Sequence, residues 1–243
     1  MIVFNSSLGG QGGSGFSTWD EKTETGWGDS ANSLVWVFDG GAGTNEIGQG
    51  SVLAEANRTL TQNGAIGAAV LDGGYFYRPI VSASSQYFNW TDAGFNGIFA
   101  GQSSYSFVWK YKTGTDITGY WLSFNDTNSE IIADSTGGIT FFLTDTDNAQ
   151  ESKGFTDGLL ADTLYYFYLW CDGIRTRIAF STTFKTKWSE FDGTKRNEFV
   201  ALFDNFANHA AGTQIIPSTG AAGFVDGRMY FMIASKSCLV TND

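Results

Sequence analysis

An all-β fold, a two-sheet antiparallel sandwich or jelly roll with at most one or two short helices, is the class this sequence predicts. Three observations lead there. Short apolar and aromatic runs follow one another from Ser33 to the end with turn residues between them. The 243 residues include 31 glycines but only 2 prolines, as expected of many tight turns between paired strands. Aromatic residues make up 16%, enough apolar surface to offset the entropy of ordering one large domain.

Taken in order, residues 1–30 stand apart: Gly- and Ser-rich, without helical or sustained alternating pattern, carrying Phe16, Trp19 and Trp27 as isolated aromatics. They are expected to form an arm whose aromatics dock on the sandwich or on a neighbouring subunit. Residues 31–243 are expected to form the sandwich. Strand signals are LVWVF (34–38), GAAVLDGGYFYRPI (67–80, with Asp72-Gly73-Gly74 as a turn) and SSQYFNW (84–90). YSFVWKYK (105–112) alternates, with Tyr105, Phe107, Trp109 and Tyr111 on one face and Ser106, Val108, Lys110 and Lys112 on the other. GYWLSFN (119–125), GITFFLTD (138–145), TLYYFYLWCDG (163–173) and IRTRIAFST (174–182) follow. Asp172-Gly173 marks a hairpin between the last two. Alternation then predicts Ile174, Thr176, Ile178 and Phe180 inward, with Arg175 and Arg177 outward. Residues 197–210, with Phe199, Leu202, Phe203 and Phe206 at helical spacing, predict the one clear helix, and GRMYFMIASKSCLV (227–240) closes the chain as a strand.

Charge excludes one class of partner. The formal net charge is −11 and no basic cluster offsets it, so a phosphate backbone would be repelled and nucleic acid is not expected. No stretch approaches the roughly 20 apolar residues of a membrane span. The start MIVFNSSLGG lacks a basic n-region and a long apolar core, so Sec export is not expected either. The N-x-S/T sequons at Asn5, Asn57, Asn89 and Asn125 are accordingly not read as glycosylation sites. Cys171 and Cys238 lie in apolar runs and are expected to be free thiols behaving as small hydrophobes.

The order of segments resembles the concanavalin A-like, laminin-G-like jelly-roll modules of extracellular and bacteriophage proteins. The resemblance covers residues 33 to 243. It lies in SLVWVFDGG through the N-G turn to AAVLDGGYF, in SSYSFVWKYK, in the strand pair DGLLADTLYYFYLWCDGIRTRIAF, and in the closing GFVDGRMYFMIASKSCLV. It implies two sheets with a concave face and a rim of loops, where some members hold calcium and carbohydrate while others bind proteins. Related folds include glycoside hydrolases, so the resemblance by itself implies no activity.

The motifs that could carry chemistry divide unevenly. Hydrolase relatives place acids as Glu-x-Asp-x-x-Glu on one strand face. Here Glu190-Phe191-Asp192-Gly193-Thr194-Lys195 lacks the third acid and contains a turn-forming Asp-Gly, so catalysis is not expected. Gly10-Gln11-Gly12-Gly13-Ser14-Gly15 matches G-x-G-x-x-G without the strand before it or the helix after it that a dinucleotide site needs. His209, the single histidine, excludes multi-histidine zinc sites.

Two loops are richer in oxygen ligands. Asp126 and Asn128 follow one strand and Asp145 and Asp147 another, and calcium is the cofactor such loops could hold, although neither has the D-x-D-x-D-G form. Among aromatics, Trp109, Tyr120 and Trp121 are candidates for stacking on a sugar. Alternation makes Trp109 and Tyr120 core residues first and leaves Trp121 the one expected to be exposed.

The sequence thus leads to a non-enzymatic virion structural protein, presenting a lectin-like sandwich as a capsid decoration, head fibre or tail-associated component. Made in a host cytoplasm and displayed on the virion surface, it would meet other virion proteins through the N-terminal arm, with a glycan or a second copy of itself as further partners. The alternative is a carbohydrate-binding module or adhesin assisted by calcium.

Overall fold

A computed structural model describes residues 31–72, 75–81, 86–99, 101–115, 117, 119–123, 130–133, 138–144, 150–155, 158–200, 213–215 and 227–243. It is an antiparallel sandwich of two eight-stranded sheets. The first sheet contains β1 (Ser33–Val37), β4 (Val70–Asp72), β5 (Tyr75–Ile80), β7 (Ser104–Thr113), β12 (Leu164–Asp172), β13 (Thr176–Ser181), β14 (Arg196–Glu198) and β16 (Gly227–Ser235). Its order is β14-β13-β12-β7-β16-β5-β4, with β1 also paired to β16. The second contains β2 (Glu46–Ile47), β3 (Thr59–Asn63), β6 (Tyr87–Trp90), β8 (Gly119–Ser123), β9 (Glu130–Ala133), β10 (Ile139–Thr144), β11 (Gln150–Phe155) and β15 (Thr213–Ile215), in the order β11-β10-β9-β8-β15-β6-β3-β2. The predicted class is observed. Among the described residues no helix is long and apolar enough to cross a membrane.

Alternation fills the space between the sheets. Trp36, Tyr105, Phe107, Trp109, Tyr111, Phe167, Leu169, Ile178 and Phe180 of the first sheet meet Leu60, Phe88, Trp90, Phe141, Leu143 and Phe155 of the second. Ring edges and faces interlock: Trp36 meets Trp90 edge-on at 4.8 Å, and Trp109 stacks on Phe167 at 5.2 Å. One helix, α1 (Asp92–Phe99), adds Phe95, Ile98 and Phe99 to this core. No helix is predicted at this position, and the sequence DAGFNGIF contains two glycines, which are poor helix formers. Both have a packing reason: a Cβ on Gly94 would lie 2.1 Å from Trp90 Nε1, and one on Gly97 2.6 Å from Leu53.

The edges of the sandwich are tied together. On one side Val35 and Gln49 exchange two backbone hydrogen bonds, linking β1 to the segment after β2. On the other, Asn197 of β14 donates to the Gly154 carbonyl on β11, and the Val200 N–H donates to the Glu151 carboxylate.

The central strands of the first sheet are buried on both faces, which alternation did not foresee. Segment 184–191 and the C-terminal residues 238–240 cover half of its outer face, packing Phe184, Trp188, Phe191 and Val240 on Val108, Tyr168, Trp170 and Ile233. The two segments are stitched by Trp188 N–H to the Thr241 carbonyl and Thr241 N–H to the Thr186 carbonyl, both 2.9 Å.

Arg177 takes the outward side expected of it, but beneath this cover. It faces outward on β13, yet it is 7% exposed because Trp188 and Asn242 lie over it. The expected inward position of Ile174 is corrected: at 75% exposure it sits in the hairpin turn, two residues before the inward run Thr176, Ile178, Phe180. The expected helix over 197–210 does not begin where predicted, since Asn197 and Glu198 belong to β14 and pair with Ile178 and Arg177. Phe199 drops into the core, and residues 201–210 lie outside the described residues.

Candidate functional site

The residues singled out from sequence have different fates. Trp109 is fully buried between β7 and β12 and stacked on Phe167, so a sugar cannot reach it: the core position that alternation favours is the one found. Tyr120 and Trp121 lie on β8, of which the backbone is described. The register slips between Tyr120 and Leu122, so a bulge at Trp121 breaks the alternation that set Trp121 opposite its neighbours. The calcium candidates Asp126, Asn128, Asp145 and Asp147, the arm aromatics Phe16, Trp19 and Trp27, and His209 lie outside the described residues.

Glu190 and Asp192 serve turns. The Glu190 carboxylate accepts from the N–H groups of Thr186 and Lys187, and Asp192 accepts from the Thr194 N–H and hydroxyl. Those hydrogen bonds hold both acids below the usual carboxylate range. Among the described residues no group of three or more His, Cys, Asp or Glu is placed to hold a metal.

A surface that the sequence did not single out lies toward the β4 edge of the outer face, where β4, β5 and β16 run side by side. Its construction begins with a bulge. Met229 pairs with Tyr111 and Phe231 with Lys110, leaving Tyr230 as an extra residue of β16. Met229 and Met232 enter the core, while Tyr230 joins Phe231 on the outer side, where both rings lie beside the Lys110 ammonium. Tyr77 of β5 packs against Tyr230 with ring centroids 5.5 Å apart.

The Arg228 guanidinium lies over the Tyr77 ring at 4.8 Å and donates to Asp72 Oδ2 at 3.0 Å. Burial raises the pKa of the neighbouring Tyr230 hydroxyl. Beneath, Lys110 is 1% exposed, with its Nζ 5.3 Å from the Tyr166 ring centre and 5.6 Å from that of Tyr230. Arg228 and Asp72 remain open, with side chains 36% and 56% exposed, and Val70 adds an exposed apolar edge. The surface therefore offers hydrogen-bond donors and an acceptor beside a half-buried aromatic ring.

The sequence contained one part of this signal. Lys110 and Lys112 fall on the face of β7 opposite Trp109, as predicted, but the pairing of β16 with both β5 and β7 is a long-range fact. The bulge at Tyr230 is invisible to period-two counting.

Two other charged groups are structural. Arg78 and Glu46 form a buried ion pair at 2.8 Å between the sheets. At the far end of β12, Asp172 binds Arg177 at 2.8 Å, and Arg177 reaches Glu198 at 2.8 Å. Cys171 and Cys238 are free thiols, the first buried as expected, and burial pushes the Cys238 thiol up to about 11.

No family model matches the chain and no curated protein does. Solved structures do. A botulinum neurotoxin type C structure, from work describing cell entry that depends on two ganglioside molecules, superposes with a TM-score of 0.57 at 10% identity, over 86% of this chain and 49% of that one. The binding domain of botulinum neurotoxin DC in complex with SialylT gives 0.57 at 9% identity over the same shares. The serotype G binding domain gives 0.51 at 13% identity, over 82% and 46%. The chain thus spans about half the length of these structures. At such identities the likeness is one of fold: this chain is an antiparallel jelly-roll sandwich like the one in these neurotoxin structures.

Proposed function

We propose that the chain is a non-enzymatic, lectin-like module that binds carbohydrate at the β4–β5–β16 edge of its first sheet. The observation that carries the reading is the Tyr77–Arg228–Asp72 surface. Saccharide hydroxyls exchange hydrogen bonds with charged side chains while their C–H groups rest against aromatic rings, and an exposed arginine, a carboxylate and a half-buried tyrosine adjoin here. The fold shared with the neurotoxin binding structures supports it, since those proteins are described with gangliosides and a sialylated ligand. The turn-capping roles of Glu190 and Asp192 support the non-enzymatic part, because they leave the one acid pair resembling a hydrolase motif engaged elsewhere.

The test is a glycan array probed with the full chain. Binding to at least one saccharide, weakened at least tenfold by Tyr77→Ala with thermal unfolding unchanged, is the expected result; an array without any hit removes the reading. A chelator arm tests the calcium-assisted form at the loops of Asp126 and Asp145. The setting we propose for the module is a virion surface, with residues 1–30 attaching it to neighbouring virion proteins. Its net charge of −11 suits an exposed, soluble decoration, and a protein inventory of purified particles that lacks the chain ends that part.

A further inference from the structure

We propose that Asn63-Gly64 is a site of spontaneous covalent modification, where the folded chain converts its own asparagine to isoaspartate and aspartate, while the fold spares Asn96-Gly97. The only co-reactant is water. The site is independent of the proposed carbohydrate surface.

Residues 63–64 and 96–97 are the two Asn-Gly steps of the sequence. Such a step is chemically labile because glycine has no Cβ to obstruct the approach of its backbone nitrogen to the preceding side chain. The Gly nitrogen attacks Asn Cγ and loses its proton through solvent to the departing amide. The N–Cγ bond forms, the Cγ–Nδ2 bond breaks, and ammonia leaves. Water then opens the five-membered imide. Opening at Cγ gives aspartate; opening at the backbone carbonyl gives isoaspartate, which lengthens the main chain by one methylene.

The structure separates the two steps. Asn63 is the last residue of β3, paired with Tyr87, and the exposed Gly64 beyond it turns out of the ladder at φ +74°. Among the described residues Gly64 is hydrogen-bonded through its carbonyl, which accepts from Gln62 Nε2 at 2.7 Å, and no acceptor holds its N–H, the attacking group. The Asn63 carboxamide is held loosely at the surface, Nδ2 lying 3.4 Å from the Thr61 carbonyl.

Asn96-Gly97 lies inside α1, where each N–H is committed to the carbonyl four residues earlier. Leu53 packs so closely on Gly97 that an added Cβ would lie 2.6 Å from it, which leaves this turn no room to rearrange. Asn96 Oδ1 is buried without a hydrogen-bond partner among the described residues. The oxygen that must take up negative charge during attack therefore has neither donor nor water beside it.

Modification at Asn63 reaches the core through one side chain. Gln62, held by the Gly64 carbonyl, accepts through Oε1 from Nη2 of the buried Arg78. The added methylene of isoaspartate moves that carbonyl away from Gln62 and loosens an acceptor of the guanidinium.

The full chain, folded or unfolded in urea, is incubated at mildly alkaline pH. Peptide mass spectrometry with electron-transfer fragmentation, which distinguishes isoaspartate from aspartate, then follows both steps. In the folded chain Asn63 should convert at least tenfold faster than Asn96, and in urea the two rates should agree within threefold. Similar rates at both steps of the folded chain, an intact Asn63 while the unfolded chain converts, or a tenfold difference that persists in urea overturns the proposal. The urea midpoint of the aged wild type should fall as isoaspartate accumulates. Asn63→Asp, which carries the charge without the methylene, and Asn63→Ser aged alongside should keep theirs. An unchanged midpoint in chain rich in isoaspartate, or an equal fall in Asn63→Asp, overturns the link to Arg78.

Discussion

Arg78 shows how a full positive charge is kept in the core. Its Nε donates to the Gly67 carbonyl at 3.0 Å, Nη1 to Thr44 and Glu46 at 2.7 and 2.8 Å, and Nη2 to Ile66 at 3.1 Å and to Gln62. All five N–H groups are used, which is the condition for burying a guanidinium. The cost falls on Glu46. Burial pushes its carboxyl up to about 8 from 4.5, more than hydrogen bonding and charge from Arg78 pull it down. The folded chain therefore holds this proton more tightly than the unfolded chain. The resulting stabilisation is complete below about pH 4.5 and is lost as pH rises through about 8. Urea midpoints of the wild type should fall, relative to those of Glu46→Gln, between pH 5 and 8.5; parallel pH profiles for the two proteins would remove the account.

At the level of elements, the β12–β13 hairpin is held by one side chain. Asp172 Oδ1 accepts from the N–H groups of Ile174 and Arg175 at 2.8 and 2.7 Å, while Oδ2 accepts from Arg177 and Asn242, both at 2.8 Å. Gly173, at φ +83°, supplies the left-handed turn. Burial opposes ionisation of Asp172, but the hydrogen bonds from Asn242, Arg175 and Ile174 and the charge of Arg177 outweigh it and hold the carboxyl down at about 2. This group thus stabilises the fold above about pH 3.8, and its contribution disappears as pH falls through about 2. Because the same carboxylate closes the turn and ties down the C-terminal cover, Asp172→Ala should cost roughly 1–3 kcal/mol in urea unfolding at neutral pH. A loss within ~0.5 kcal/mol, the range of ordinary surface changes, would show that the cover is held by its apolar contacts alone.

For the whole molecule the two apolar clusters are not independent. Tyr105, Phe107 and Trp109 of β7 face the sandwich core while Val108 of the same strand faces the cover, and β12 and β16 divide their side chains likewise. Removing the cover would expose the outer face of the strands that carry the core. Unfolding should therefore be one cooperative transition, with tryptophan fluorescence and far-ultraviolet circular dichroism coinciding along a urea titration. Separate midpoints would mark the cover as a unit of its own. Folding should be slow for the chain's size, because β1 pairs along its length with β16, Ser33 opposite Ser235.

What the sequence determined by itself is local. Period-two alternation marked the long apolar strands β7, β10, β12, β13 and β16, placed Trp109 inward, and with glycine-bearing turns gave the sandwich class. Short or polar strands such as β2, β11 and β14 escaped, since two to six residues of mixed polarity carry no periodic signal, and Gly94 and Gly97 disguised α1.

Tertiary structure decided the rest. Which half of an outer face is covered, why Arg177 is buried and Arg228 open, and how a bulge sets Tyr230 beside Tyr77 depend on pairings between strands far apart in the chain. Alternation fixes the side of a strand on which a residue lies; what lies against that side is set by segments elsewhere in the chain.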